Sequence, residues 1–273
     1  MTPLLAVSLA PAVTMGAVIG SFMSVVASRV PPLVLDSPGG RVRLTRLFST
    51  LSWPGSHCTS CNTELRWWDN VPLLSYLVLR GRCRKCHAAY GSKYFLLEAG
   101  GAAAGLASVL LYGWSVQGAL CFLLLSLLLV LSAIDLEEML LPDVLVFPLL
   151  PLGLLYQSWY GGGLASAGLG AVAAFAVMWA IGASYRLACK IDGMGGGDIK
   201  LAGALGAWLG VANIPFFLIG AFASGTLVMS AFLLIQKSGN KEPLPFGPFL
   251  ALSAALLVLT PQTTAFLTAL LAP

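Results

Sequence analysis

Two aspartates stand out in a chain of 273 residues of which only 10% are charged. Asp135 closes an apolar run in "SAIDLEEMLLPDVLVFPLL", residues 132–150, and Asp198 follows three glycines in "IDGMGGGDIKLAGALGAW", residues 191–208. Two carboxylates brought face to face can share one proton and activate a water against a peptide carbonyl. Neighbouring acids have simpler roles. Asp143 follows Pro142 and suits the first turn of a helix, where a negative charge complements the dipole. Glu137 and Glu138 can face water. Asp135 ends an apolar helix, at its negative pole, and no such role accounts for it. An N-cap would account for Asp198, but not for Gly195, Gly196 and Gly197 before it. Glycines there open unusual backbone conformations and a close approach to a neighbouring segment. Lys200 is expected to anchor at the membrane interface or temper the local negative charge. From helix ends alone, Asp198 is the base and Asp135 carries the proton.

Four of the six cysteines form a second constellation: Cys58 and Cys61, then Cys83 and Cys86, with 21 residues between the pairs. Each C-x-x-C knuckle offers two thiolates to one tetrahedral ion, and two knuckles complete a closed Cys₄ zinc site of structural type. Two disulfides are the alternative, in an oxidising compartment. His57 and His87 flank the knuckles as loop residues, and neither is needed as a ligand. Trp67, Trp68 and Tyr76, between the knuckles, are expected to form a small core, or alternatively a membrane-surface or substrate platform. The basic cluster Arg80, Arg82, Arg84 and Lys85 suits either a topogenic loop or anionic head groups.

These groups need elements to carry them. The chain is 58% hydrophobic with a mean hydropathy of +0.88, and its apolar residues fall in long runs, as in an integral membrane protein. The runs lie at about 4–28, 94–112, 116–134, 144–160, 164–185, 199–212, 215–235 and 247–271. Most approach the ~20 residues that cross a bilayer. The expected fold is therefore an all-α polytopic membrane protein of about eight transmembrane helices with a small zinc-binding insert. It divides into a first helix (1–30), a zinc-binding domain (31–93) and a seven-helix bundle carrying the aspartates (94–273). With eight crossings, the loops on one side (29–93, 135–143, 186–200 and 236–246) hold ten, none, three and two Lys or Arg, all fifteen in the chain. The positive-inside rule makes that side cytoplasmic and both termini periplasmic. The net charge of +4 then reflects orientation in a lipid membrane, and no nucleic-acid partner is expected.

The motifs also carry a family resemblance. "GGGD" fits the G-x-G-D signature of intramembrane aspartyl proteases, and with "IDLEEMLLPD" it resembles the type IV prepilin peptidases of bacteria. The insert "HCTSCNTELRWWDNVPLLSYLVLRGRCRKC" is similar to their zinc-binding loop, and "GSFMSVVASRVP" to the segment after their first apolar run. The resemblance implies a bifunctional inner-membrane enzyme. It would cut the leader from type IV prepilins or type II secretion pseudopilins, then methylate the new N-terminus from S-adenosylmethionine. It implies Asp135 and Asp198 as catalytic residues and Cys58, Cys61, Cys83 and Cys86 as zinc ligands, and it links Gly81, with Arg82 beside it, to methylation. Departures occur at Ser24, where the family often has Asn, and at "KYFLLE" (93–98), where it has an Arg-Tyr-Pro run. The alternatives are a peptidase without methyl transfer, a transporter and a non-catalytic zinc-bearing scaffold.

Overall fold

A computed structural model describes residues 3–37, 40, 42–58, 60–191, 193–235 and 244–261. Arg41, Lys237 and Lys241, counted above in the charge pattern, lie outside the described residues, as does Asp192. The described chain is all-α: α1 (Pro3–Leu35), α2 (Leu44–Ser52), α3 (Leu74–Leu79), α4 (Ser92–Tyr112), α5 (Val116–Glu138), α6 (Asp143–Val146), α7 (Leu149–Tyr160), α8 (Gly163–Cys189), α9 (Gly196–Leu209), α10 (Ile214–Ile235) and α11 (Gly247–Leu259). Among the described residues, five helices are long and apolar enough to cross a membrane, namely Leu9–Leu35, α4, α5, α8 and Val211–Phe232. The protein is a polytopic membrane protein.

The elements depart from the apolar runs where proline or packing intervenes. Pro31 and Pro32 would locally favour an end to the first helix, yet α1 continues to Leu35. The run at 144–160 is broken, because Pro148 lacks an amide proton and separates the single turn of α6 from α7. The short helix α9, about 21 Å long at 1.5 Å per residue, is buried at every position from Leu201 to Leu209. A helix shorter than the ~30 Å hydrocarbon layer is thereby enclosed by protein. The run at 247–271 is helical to Leu259, and its remainder from 262 lies outside the described residues.

The chain forms two compact units, Met1–Ala133 and Ile134–Pro273. Unit 1 is built on the crossing of α1 and α4, where Gly16 and Gly20 of one helix meet Gly101 and Gly105 of the other. A Cβ on Gly101 would lie 2.4 Å from the Gly16 carbonyl oxygen, and one on Gly105 2.4 Å from that of Ala12. In lipid, where water exclusion does not drive helices together, such close backbone approach provides the contact. Gly101→Leu should therefore disrupt unit 1 by more than the ~1–3 kcal/mol typical of overpacking, since the clash is with backbone. Thermal unfolding of the detergent-solubilised variant measures this.

Unit 2 repeats the device at the crossing of α8 and α9, where a Cβ on Gly170 would lie 2.4 Å from the Gly206 carbonyl oxygen. Trp208 ties α9 to α7. Its indole Nε1 donates to the Leu149 carbonyl at 2.7 Å, and its own carbonyl accepts from Gln157 Nε2 at 2.8 Å. A Cβ on Gly153 would fall 2.6 Å from the indole ring, so a small residue is required there. With Trp208 1% exposed, both polar ends of this buried pair are satisfied, as burial demands.

Candidate active site

Asp135 lies in the last turn of α5, where its carbonyl accepts the Met139 amide at 2.9 Å. Its side chain is buried, 5% exposed, and its carboxylate accepts the backbone N–H of Gly247 at 2.9 Å. Gly247 opens α11 and is followed by Pro248 in the first turn. The start of α11 is thus aimed at Asp135, and a helix N-terminus is a natural anion partner. Sequence reading missed Gly247. Its signal is "FGP", a glycine before a helix-starting proline beside a polar loop. A Cβ on Gly247 would lie 2.6 Å from Asp135 Oδ2 and 3.3 Å from Leu141, so only glycine leaves room for this contact.

Asp198 sits in the first turn of α9. Its Oδ1 is buried and has no hydrogen-bond partner among the described residues. Asp135 is near enough to act on it electrostatically. Leu141 links the two sides, since it also contacts Gly197, whose added Cβ would lie 2.9 Å from Leu141 Cβ. The α5–α6 turn, the start of α9 and the start of α11 therefore converge on the pair.

The three glycines act differently from the expectation of unusual backbone conformations, because none of them adopts positive φ. Gly195 is the extended N-cap of α9, with φ −66° and ψ 138°. What matters is space: a Cβ on Gly195 would lie 2.9 Å from Asp198 Oδ2, whereas one on Gly196 would meet nothing within 4 Å. The outer two positions are crowded and the middle one is open. Gly196→Ala should keep peptide cleavage within about threefold of wild type. Gly197→Ala should lower it roughly 10- to 100-fold, because a sub-ångström shift at the pair is amplified in rate. Initial rates on a peptide substrate distinguish the two.

Lys200 Nζ contacts both carboxylate oxygens of Asp143 at 2.8 Å, with each side chain 42% exposed. The pair tethers the start of α9 to that of α6 and leaves Asp143 outside the buried site. An exposed ion pair contributes about 0–1 kcal/mol. Asp143→Asn should therefore retain cleavage within about fivefold, measured as an initial rate at fixed substrate.

The cysteines form their cluster in unit 1. All four Sγ atoms lie within 4.8 Å of one another, with Cys58 to Cys86 at 3.7 Å and Cys61 to Cys83 at 3.9 Å. Four sulfurs around a tetrahedral zinc at ~2.3 Å stand about 3.8 Å apart, so the donor set fits that ion. Each knuckle is a tight hairpin of one pattern: Cys58 N–H donates to Thr63 and Asn62 N–H to Cys58, while Cys83 N–H donates to Ala88 and His87 N–H to Cys83. The residue after the second cysteine is left-handed in both, Asn62 at φ 52° and His87 at φ 57°. That conformation closes both hairpins in the same way. Backbone N–H groups of Cys86 and Lys85 bring the Cys83 thiol down to about 6. Against a backbone N–H from Ala88, desolvation and the neighbouring sulfurs hold the Cys86 thiol up at about 11. Four sulfurs this close become thiolates together only around a cation.

Between the knuckles, Trp67 and Trp68 are 76% and 42% exposed and form no core. They meet edge to face at 5.3 Å, and Arg66 lies over Trp68. The short 3₁₀ turn Trp67–Asn70 directs both rings outward while Asp69 turns inward, 6% exposed, to pair with Arg84 at 2.6 Å. Gly81 is buried at φ +65°, Arg82 is exposed, and Tyr76 packs against Gly81.

Fold and site together define a polytopic membrane protein with a buried Asp135, a part-buried Asp198 and a four-cysteine cluster of two knuckles. Residues 14–112 match the bacterial peptidase A24 N-terminal domain, and residues 122–230 match the type IV leader peptidase family. A prepilin leader peptidase/N-methyltransferase of Burkholderia pseudomallei (strain 1026b) is 38% identical over 258 residues, 90% of this chain and 84% of the relative. Proteins of the same description from Stutzerimonas stutzeri and Pseudomonas aeruginosa are 35% and 34% identical. They cover 89% and 90% of this chain, and 87% and 88% of their own length is matched. The chain belongs to the type IV leader peptidase family. No solved structure matches it significantly.

Proposed function

We propose that this protein cleaves the leader from type IV prepilins or type II secretion pseudopilins and then methylates the new N-terminus. The observation that carries the peptidase half is that Asp135 and Asp198, from separate helices, lie close enough to interact electrostatically, with the start of α11 against Asp135 and Asp198 Oδ1 buried without a partner among the described residues. Its support from relatives is that their shared description names both activities.

The hydrogen bonds support an assignment of roles opposite to the one from helix ends alone. Asp135 already accepts an amide N–H and acts as the carboxylate base, taking a proton from the attacking water. Asp198, whose Oδ1 has no donor, carries the shared proton and gives it to the scissile carbonyl oxygen as the water oxygen bonds to carbon. The proton on Asp135 then passes to the leaving nitrogen as the C–N bond breaks, and Asp198 recovers its proton from the collapsing diol. Gly195 and Gly197 give the pair room, and the Lys200–Asp143 tether holds the start of α9 beside α6.

Cys58, Cys61, Cys83 and Cys86 would hold a structural zinc ion, which leaves no open coordination position for substrate. S-adenosylmethionine would supply an electrophilic methyl group on a sulfonium. Gly81 and Arg82 are the residues that the family resemblance links to this half. The distribution of Lys and Arg supports an inner-membrane protein with the insert and aspartates on the cytoplasmic side and both termini periplasmic. Purified protein incubated with a prepilin and S-adenosylmethionine should yield a product lighter by the leader and heavier by one methyl group in mass spectra. An intact prepilin would refute the peptidase half, and a shortened but unmethylated product the transferase half.

A further inference from the structure

Unit 1 contains a cavity of about 750 Å³, formed by the outer face of α1, the first turns of α4 and the loops that carry the cysteine knuckles. The volume is in the ~300–1,000 Å³ range of pockets for small organic ligands. Its wall includes Tyr76, Tyr90 and Tyr94, the buried carboxylate of Glu98 and the amine of Lys93. The lining is aromatic with charges of both signs, unlike the apolar surface that the spanning helices turn to lipid.

Glu98 is brought there by the glycine crossing. A Cβ on Gly20 would stand 2.7 Å from the Glu98 Cα, so α4 presents this carboxylate one turn from Ser24 of α1. Glu98 Oε2 accepts the Leu73 amide at 2.7 Å. Leu73 is a non-glycine residue at φ 62° and ψ −48°, in a three-residue turn closed by Leu74 N–H to Pro72 carbonyl at 2.7 Å. That conformation is rare and strained, and strain of this kind concentrates at ligand clamps. Tyr76 follows on α3, three residues later. It stacks on Phe95 at 5.0 Å and packs over Gly81, where an added Cβ would fall 2.9 Å from its ring and hydroxyl. Gly81 thus keeps the Tyr76 ring in the cavity wall.

We infer that this cavity is the methyl-donor site and takes a sulfonium nucleoside, S-adenosylmethionine, between the Tyr76 ring and the Glu98 carboxylate. A sulfonium is a cation without N–H donors, so it is recognised by aromatic faces and a carboxylate rather than by directed hydrogen bonds. The tyrosine rings offer stacking surface to the adenine, and Lys93 offers charge to the ligand's own carboxylate. In the transfer, the lone pair of the substrate's α-amine attacks the methyl carbon. The C–S bond breaks with its electrons going to sulfur, and Glu98 accepts the amine's proton.

The inference rests on the methyltransferase reading above, and equilibrium binding separates the two. The full-length protein in detergent, loaded with zinc, should bind radiolabelled S-adenosylmethionine saturably in the absence of prepilin. Glu98→Gln and Tyr76→Ala should each weaken binding at least tenfold, while Tyr76→Phe stays within about threefold. Zinc content and leader cleavage, which depends on unit 2, should be unchanged in all three. Undiminished binding in both Glu98→Gln and Tyr76→Ala would overturn the assignment of the cavity while leaving the enzyme's methylation intact. Absence of binding to the wild type, together with an unmethylated product, would overturn both.

Discussion

Asp135→Asn and Asp198→Asn should each lower leader cleavage by about a thousandfold or more, within the range that a positioned acid or base contributes. Asparagine has nearly the same shape, so neither change should alter insertion or zinc content. What changes is proton capacity. An asparagine at position 135 could still accept the Gly247 N–H through its amide oxygen, but it could not take a proton from water. An asparagine at position 198 could not give a proton to the carbonyl oxygen, and its amide would bring donors to a buried position where Asp198 Oδ1 has no partner. Because the two aspartates titrate as a unit, the double variant should be no slower than the worse single one. Initial rates on a peptide spanning the cleavage site measure this, and normal cleavage by either single variant would exclude the pair as the catalytic group. Carbonyl infrared spectra of the resting protein locate the proton. The Asp198 assignment requires that the carboxylic-acid band be lost in Asp198→Asn and kept in Asp135→Asn.

Cys83→Ser should take the protein from one zinc per chain to essentially none, the largest structural effect expected here. Binding of a structural zinc contributes roughly 10–16 kcal/mol in small domains. The insert holds few apolar contacts of its own, with Trp67, Leu74, Leu77 and Val78 all exposed. Without the metal its two hairpins lose their common anchor. Limited proteolysis should then cut between residues 58 and 90, while the helices beyond α4 stay intact. Elemental analysis gives the stoichiometry. Resistance of all four thiols to alkylation after metal removal, reversed by a reductant, would instead establish disulfides. Since Tyr76 lies on α3 between the two hairpins and Tyr90 directly follows the second, loss of zinc should also abolish binding of the methyl donor at the cavity.

Much of this protein was legible without coordinates, for physical reasons that can be named. Long apolar runs admit few structures other than membrane helices, because lipid offers no partner to an open backbone. Two C-x-x-C knuckles restrict their own geometry, and Asp135 and Asp198 are conspicuous because carboxylates at apolar helix ends are costly. The order of G-x-G-D and the knuckles along the chain was sufficient to suggest the family. Local reasoning was incomplete where a distant segment intervened. The proton placement from helix ends counted only the helices bearing the aspartates, whereas Gly247 arrives from 112 residues away and supplies a donor to Asp135. Trp67 and Trp68 suit a core by type, but a 3₁₀ turn faces them outward. Gly195 and Gly197 suggested both backbone freedom and close approach, and the tertiary structure uses the second without the first. The cavity beside Glu98 had no signature in the sequence, because its wall is gathered from α1, α4 and the knuckle loops. Residue type and spacing determine which groups can do chemistry and which segments enter lipid; which donor reaches which carboxylate, and which side chains enclose a ligand, depends on packing between residues far apart in the chain.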